Sequence, residues 1–176
     1  NNKGWGSTIT ISDETDAVLE TGGGLMKAQS YFAQDDFFVV MNADILTNMP
    51  LREMIKAHQI NKPLATLAVS NRSSSRCFLF DEYDQLLGWK NRATGELKGQ
   101  IIALPEKTIQ EKAFSGIHVI SSDIFSKNSF SGKFSMVDLY LNLCSSNIIK
   151  AYDHTGYHLV DVGKPESIQE AEKIFS

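Results

Sequence analysis

Two aspartates stand just beyond apolar segments that have the length and composition of buried β-strands. Asp44 comes shortly after Phe37–Met41, and Asp161 comes directly after residues 157–160. Ligands of open α/β sheets bind beyond the carboxyl ends of the strands, where a carboxylate can hold a hard divalent cation such as Mg²⁺. Either aspartate alone could equally be a turn residue or a helix cap. Two of them at similar strand ends favour a shared magnesium site that leaves positions for phosphate oxygens and water.

A run of glycines, Gly22 to Gly24, opens a segment with helical spacing of its apolar residues, 24–32. A glycine-rich helix start offers unpaired N–H groups and the positive end of a dipole to an anion. Together with the aspartates, the run indicates a site for a phosphorylated substrate and a metal. The run could also be only a flexible turn. It is neither the dinucleotide fingerprint nor a Walker loop.

The histidines give a weaker signal. His154 and His158 lie in a predicted turn and strand without a zinc-ligand set nearby, so we expect a structural or surface role for each. His118 could face either the ligand crevice or the core. The sequence has no Gly-x-Ser-x-Gly elbow and no evident Ser/His/Asp arrangement. The predicted chemistry therefore needs no protein nucleophile.

Bulk composition limits the classes of function. The chain has 176 residues and a net charge of −4, which gives no electrostatic case for binding nucleic acid or an anionic membrane. No apolar run is long enough to span a bilayer. Cys77 and Cys144 form no Cys-x-x-Cys pair and are expected to be reduced thiols of a cytoplasmic protein. We expect one domain over residues 1–176.

The order of predicted elements favours an α/β fold with a largely parallel sheet. The predicted strands are 8–11, Phe37–Met41, 64–69, a hairpin of 77–80 and 85–89, 113–120, 148–152 and 157–160, and helices are predicted at 24–32, after Pro50, after Ser135 and from Pro165. Gly116 interrupts the strand 113–120. A glycine inside a strand often marks a bulge or a close backbone approach to a ligand.

Four motifs occur in an order and spacing that resemble the sugar-1-phosphate nucleotidyltransferases. They are Leu-Glu-Thr-Gly-Gly-Gly-Leu at 19–25, Val-Val-Met-Asn-Ala-Asp at 39–44, Phe-Ser-Gly-Ile-His-Val at 114–119 and Val-Asp-Val-Gly-Lys-Pro-Glu at 160–166. The resemblance is strongest to the branch containing N-acetylmuramate 1-phosphate uridylyltransferase and enzymes labelled mannose-1-phosphate guanylyltransferase. It implies a Rossmann-like three-layer sandwich with a mixed, mostly parallel sheet.

The resemblance also implies an activity and roles for single residues. Such enzymes join a sugar 1-phosphate to a nucleoside triphosphate and release pyrophosphate. Asp44 and Asp161 match the two magnesium-binding aspartates, and Asn42 falls among the substrate-binding residues. Gly22 and Gly23 match the loop that approaches the nucleotide, and Gly116 matches a backbone contact to the sugar.

The chain also departs from the family pattern. It lacks the glycine-rich phosphate loop with its Arg and the later Pro-Lys-Pro, and the segment 8–11 resembles the third strand of the family. We therefore expect a C-terminal portion of a longer enzyme that turns over little or nothing by itself. The strand Phe37–Met41 would lose a neighbour, so the chain is expected to pair with another copy through an exposed sheet edge or to be marginally stable. The alternative is a non-catalytic module that senses a sugar phosphate or nucleotide.

Overall fold

The computed structural model describes residues 6–99 and 108–175, so the ends of the predicted domain lie outside it. The strands are β1 Phe37–Met41, β2 Ile45–Thr47, β3 Ala65–Ser70, β4 Arg76–Phe80, β5 Leu86–Asn91, β6 Leu97–Gly99, β7 Gln110–Ser121, β8 Ile149–Asp153 and β9 Leu159–Asp161. The helices are α1 Glu20–Lys27, α2 Leu51–Asn61, α3 Ile124–Lys127, α4 Met136–Leu143 and α5 Pro165–Phe175, with a 3-10 turn at Gln29–Phe32.

The main sheet is built around β7. Its order is β6-β5-β4-β7-β3-β8, and β1 pairs with the second half of β7 on the same edge as β4. The strands β1, β3, β4, β6 and β8 point one way, and β5 and β7 point the other. The predicted mixed sheet of an α/β fold is confirmed, but the prediction of largely parallel pairing is not: most strands share one direction, yet five of the six described ladders of this sheet join antiparallel neighbours. Among the described strands, β3 and β8 are the neighbours that run parallel.

Helices cover both faces of this sheet. One core cluster joins Leu25 of α1, Ile124 of α3 and Tyr140 of α4 to the sheet. A second cluster joins Met54 of α2 and Ile45 of β2 to the opposite face. The two clusters give the three layers that the sequence predicts, because an amphipathic helix stripe must be buried against a sheet face.

The outer edge of β1 has no strand beside it among the described residues. The uniformly apolar sequence of β1 predicts a strand covered on both faces, but only Phe38 is buried and Met41 is 42% exposed. β1 therefore has an open edge in the described part of the chain. Unpaired N–H and C=O groups on such an edge can template pairing with another chain.

The predicted strand at 8–11 is wrong. Residues 8–14 lie in neither a helix nor a strand, and the side chains of Ile9 and Ile11 are 70% and 78% exposed. Alternating polar and β-branched residues form a strand only when a second strand supplies the ladder hydrogen bonds. The described part of the chain places none beside this segment; the hydroxyl of Tyr31 donates to the carbonyl of Ile11 at 3.5 Å.

The predicted helix at 24–32 is shifted, because α1 already begins at Glu20 and contains the whole glycine run. Two acceptors outside the helix explain the early start. Glu14 Oε2 accepts the N–H of Leu19 at 3.0 Å, and the carbonyl of Phe134 accepts the N–H groups of Gly22 and Gly23 at 2.9 and 3.2 Å. These contacts satisfy N–H groups that the first turn of a helix leaves free.

Other elements follow the sequence more closely. The hairpin β4–β5 and the Ser135 cap of α4 are confirmed, the latter by Ser135 Oγ accepting the N–H of Asp138 at 3.1 Å. The short elements β2, β6 and α3 were not predicted. The last two predicted strands do not pair with each other, because β8 joins β3 whereas β9 pairs with β2.

Both cysteines are free, as predicted, and both are buried. In the described ranges, no helix is both long and apolar enough to cross a bilayer.

Burial makes His118 of β7 a source of acid sensitivity. Its Nδ1 lies 2.6 Å from the hydroxyl of Tyr140, and burial lowers the pKa of His118 to about 3. The unfolded chain takes up this proton near pH 6.5. Stability is therefore fully present above that pH and is lost as the pH falls toward 3, by up to about 1.4 kcal/mol per pH unit.

The variant His118→Gln removes this titration. We expect its free energy of unfolding, measured in urea at several pH values, to decline less steeply than that of the wild type between pH 6.5 and 4. His158→Gln, which changes an exposed histidine, is the matched control. Equal slopes in wild type and His118→Gln would contradict the prediction.

Candidate functional site

The small sheet of β2 and β9 brings the two predicted aspartates together. Asp44 directly precedes β2 and Asp161 ends β9, and the antiparallel register places Ile45 opposite Asp161. The carbonyl of Asp44 also accepts the N–H of Val162 at 2.7 Å. Two residues far apart in sequence thus meet because a backbone ladder aligns the segments that carry them.

The two carboxylates converge on the same space. A Cβ atom placed on Gly163 would lie 2.9 Å from Asp44 Oδ2 and 3.1 Å from Asp161 Oδ1. The N–H of Gly163 donates to Asp161 Oδ1 at 2.9 Å, which fixes one carboxylate. No third acidic, histidine or cysteine side chain completes a metal cluster within the described residues. Two converging carboxylates supply oxygen ligands that suit a hard cation, which completes its coordination with water or phosphate oxygens.

Asn42 and Gly116 form the next part of the site. The N–H of Asn42 donates to the carbonyl of Gly116 at 2.9 Å. Gly116 has a φ of +70°, and a Cβ on it would lie 2.7 Å from Asn42 Nδ2. Only glycine combines this backbone conformation with so close an approach. The glycine that interrupts the predicted strand therefore shapes the site.

A cavity of about 250 Å³ lies at the carboxyl end of β1. It is lined by Asn42, Ile45, Arg72, Phe114, Ser115, Gly116, Leu159 and Asp161. The structure thus brings together three of the predicted site residues, and the carboxylate of Asp44 lies beside that of Asp161. This position agrees with the rule that ligands of α/β sheets bind beyond the strand ends.

Gly22 and Gly23 do not line this cavity. They pack against the loop before α4, where a Cβ on Gly22 would lie 2.5 Å from the ring of Phe134 and one on Gly23 would lie against the carbonyl of Gly132. Their N–H groups are already bonded to Phe134, so close packing accounts for both glycines. A contact of this loop with a nucleotide stays a prediction.

Arg72 is a site residue that the sequence reasoning missed. It follows β3, and its Nη2 donates to the carbonyl of Phe114 at 2.7 Å. This bond uses one of five guanidinium donors and leaves others for an anion. The argument that found Asp44 and Asp161, a charged residue shortly after a buried strand, would also have found Arg72.

Three of the four histidines bear on the sequence predictions, and they lie in different environments. His118 lies in the core beside Tyr140, which settles its orientation in favour of the core. His158 is exposed. His154 is buried behind the cavity, with Nε2 2.7 Å from Ser115 Oγ. The contact between Ser115 and His154 spans 39 residues, and no local pattern in the sequence predicts it.

The fold is shared with solved structures of other proteins. HddC from Yersinia pseudotuberculosis superposes with a TM-score of 0.64 and 18% identity, covering 90% of this chain and 63% of that one. UDP-glucose pyrophosphorylase from Acinetobacter baumanii gives a TM-score of 0.66 at 16% identity, covering 88% of this chain and 55% of the other.

Curated proteins with similar sequences carry the name mannose-1-phosphate guanyltransferase or guanylyltransferase. The chain is 22% identical over 163 residues to mannose-1-phosphate guanyltransferase of Kluyveromyces lactis, covering 92% of this chain and 43% of that protein. It is 22% identical over 169 residues to probable mannose-1-phosphate guanylyltransferase 3 of Arabidopsis thaliana, covering 95% of this chain and 48% of that protein. No family model matches the chain.

These findings confirm the resemblance that the four motifs predict. The chain is similar in sequence and fold to sugar-1-phosphate nucleotidyltransferases, and it spans about half the length of the curated relatives it matches.

The geometry around Gly116 can be tested by substitution. Gly116→Ala should lose about 1–2 kcal/mol of stability to backbone strain and a further amount because Asn42 must move. Gly95 is the matched control, since its φ is +76° and nothing lies within 4 Å of its Cβ position. Urea denaturation should show a smaller loss for Gly95→Ala than for Gly116→Ala. Equal losses of stability in the two variants would contradict the prediction, because they would mean that Asn42 moves aside at no measurable cost.

Proposed function

We propose that the chain is the metal- and sugar-binding portion of a nucleotidyltransferase that acts on a sugar 1-phosphate. The observation that carries the proposal is the convergence of Asp44 and Asp161 beside a cavity that also holds Arg72. Similarity to nucleotide-sugar enzymes supports the same reading. The sugar phosphate oxygen would attack the α-phosphorus of a nucleoside triphosphate in line, and pyrophosphate would leave.

Mg²⁺ is the cofactor that the residues fit. Asp44 and Asp161 would hold it through oxygen ligands, and the space beside Gly163 stays open because that residue has no side chain. When bound, the ion would neutralise phosphate charge.

The chain's own residues would position the substrates. Arg72 offers guanidinium donors to a phosphate while the carbonyl of Phe114 holds its side chain in place. Gly116 lets the sugar approach the backbone, and Asn42 lies over that glycine. Catalysis would then rest on orientation and charge neutralisation, since in-line transfer between phosphates needs no nucleophile from the protein.

Finer assignments belong to the same proposal. The curated relatives are named for mannose 1-phosphate and a guanine nucleotide, which makes this pair the first substrates to test. A cytoplasmic role in nucleotide-sugar synthesis for the cell envelope follows from the same resemblance. The open edge of β1 supports the further proposal that copies of the chain associate through it.

Metal binding gives a prediction that does not depend on turnover. Asp44→Asn and Asp161→Asn should each weaken Mn²⁺ binding, measured by electron paramagnetic resonance in competition with Mg²⁺, by at least about tenfold. Gly163→Ala should do the same, because its methyl group enters the space between the carboxylates. Asp35→Asn, an exposed aspartate before β1, is the matched control. Unchanged Mn²⁺ binding in Asp44→Asn and in Asp161→Asn would remove the metal from the proposal.

Pyrophosphate release tests the activity itself. We would compare this chain with the product of the upstream-extended reading frame, using mannose 1-phosphate and GTP first and then other sugar 1-phosphates and nucleotides, with Mg²⁺. We expect release by the extended protein, little or none by the chain alone, and loss in Asp44→Asn. Release by neither form would favour the non-catalytic binding module.

A further inference from the structure

A buried pair of side chains forms one wall of the cavity. Ser115 of β7 and His154, which follows β8, are 2% and 1% exposed, and Ser115 Oγ lies 2.7 Å from His154 Nε2. The backbone N–H of His154 donates to the carbonyl of Val69 at 2.9 Å. The imidazole is therefore held in place behind the serine, which itself faces the cavity.

The other ring nitrogen of His154 decides which hydrogen bond this pair makes. Nδ1 is enclosed and has no hydrogen-bond partner among the described residues. The backbone carbonyl of His154 favours a protonated ring, but it makes no hydrogen bond with Nδ1. Burial lowers the pKa of His154, so the ring is neutral and carries one N–H. A proton on Nδ1 would be a buried donor without an acceptor of hydrogen-bond geometry, whereas an unprotonated Nδ1 is a buried acceptor without a donor, and folded proteins contain orphaned N–H groups more rarely than under-satisfied acceptors.

A proton on Nε2 avoids that cost, because Ser115 Oγ can accept it. The hydroxyl proton of Ser115 is then left to donate elsewhere. The described residues give Ser115 Oγ no other partner, and it lines the cavity with Arg72, Gly116 and Asp161. A hydroxyl that accepts from Nε2–H keeps its own proton, which it can donate toward the cavity.

We propose that His154, in its Nε2–H form, sets Ser115 as a hydrogen-bond donor to an oxygen of the sugar phosphate in this cavity. Ser115 is then a substrate-positioning residue, and His154 acts through it. The identity of the ligand rests on the proposed function, whereas the direction of the hydrogen bond rests on the contacts of the two side chains alone.

The direction of the hydrogen bond is tested by ¹⁵N NMR of histidine-labelled chain without ligand. Two-bond correlations distinguish the two neutral forms of a ring, and His154→Gln identifies the signals that belong to His154. We expect the Nε2–H form. Detection of the Nδ1–H form would overturn the proposal, because Ser115 would then donate to His154 and offer the ligand no proton.

The contact with ligand is tested by calorimetric titration with mannose 1-phosphate in the presence of Mg²⁺. Ser115→Ala should weaken binding about fivefold, the usual effect of losing one neutral hydrogen bond. His154→Leu should weaken binding similarly, and His154→Gln should keep most of the affinity because its amide N–H can replace Nε2–H. Ser145→Ala, in the exposed loop after α4, is the matched control.

Two failures can be told apart in this design. Unchanged affinity in Ser115→Ala, with the fold intact by circular dichroism, would overturn the present inference alone. Absence of binding by the wild type to mannose 1-phosphate and to glucose 1-phosphate would overturn the proposed function and the ligand assignment with it.

Discussion

The backbone ladder of β7 is the interaction on which the rest of the structure depends. This strand pairs with β1, β3 and β4, and every other strand of the main sheet joins through one of them. Gly116 stands between the half that pairs with β4 and the half that pairs with β1. Its positive φ redirects the strand without a clash, which a residue with a side chain could do only under strain.

The same strand links the sheet to the cavity. Gly116 accepts a hydrogen bond from Asn42 at the end of β1, so the chain turns there toward Asp44 and β2. The pairing of β2 with β9 then brings Asp161 beside Asp44. Positions of side chains with potential chemistry are therefore set by backbone hydrogen bonds, which are more rigid than side-chain contacts between flexible loops.

Local sequence patterns predicted the elements that depend on residues close together in the sequence. The position of strand β1 and the cap at Ser135 were predicted correctly, because composition and capping act over a few positions, although β1 is less buried than its apolar sequence predicts. The strand predicted at 8–11 was wrong, because a strand also requires a partner strand, and the sequence of the segment itself does not reveal whether one is present. The start of α1 depends on Phe134, more than a hundred positions away, and Ser115 meets His154 across 39 residues.

The charges in the site form one consistent arrangement. Asp44 and Asp161 converge and repel each other, and both would repel a phosphate placed between them. One guanidinium, that of Arg72, lines the described part of the cavity and cannot offset two carboxylates and a phosphate dianion together. A divalent cation held by the carboxylates would cancel their charge and leave most of the phosphate charge balanced by the cation and Arg72. We therefore propose that the pairing of β2 with β9 serves to bring two carboxylates together around a cation.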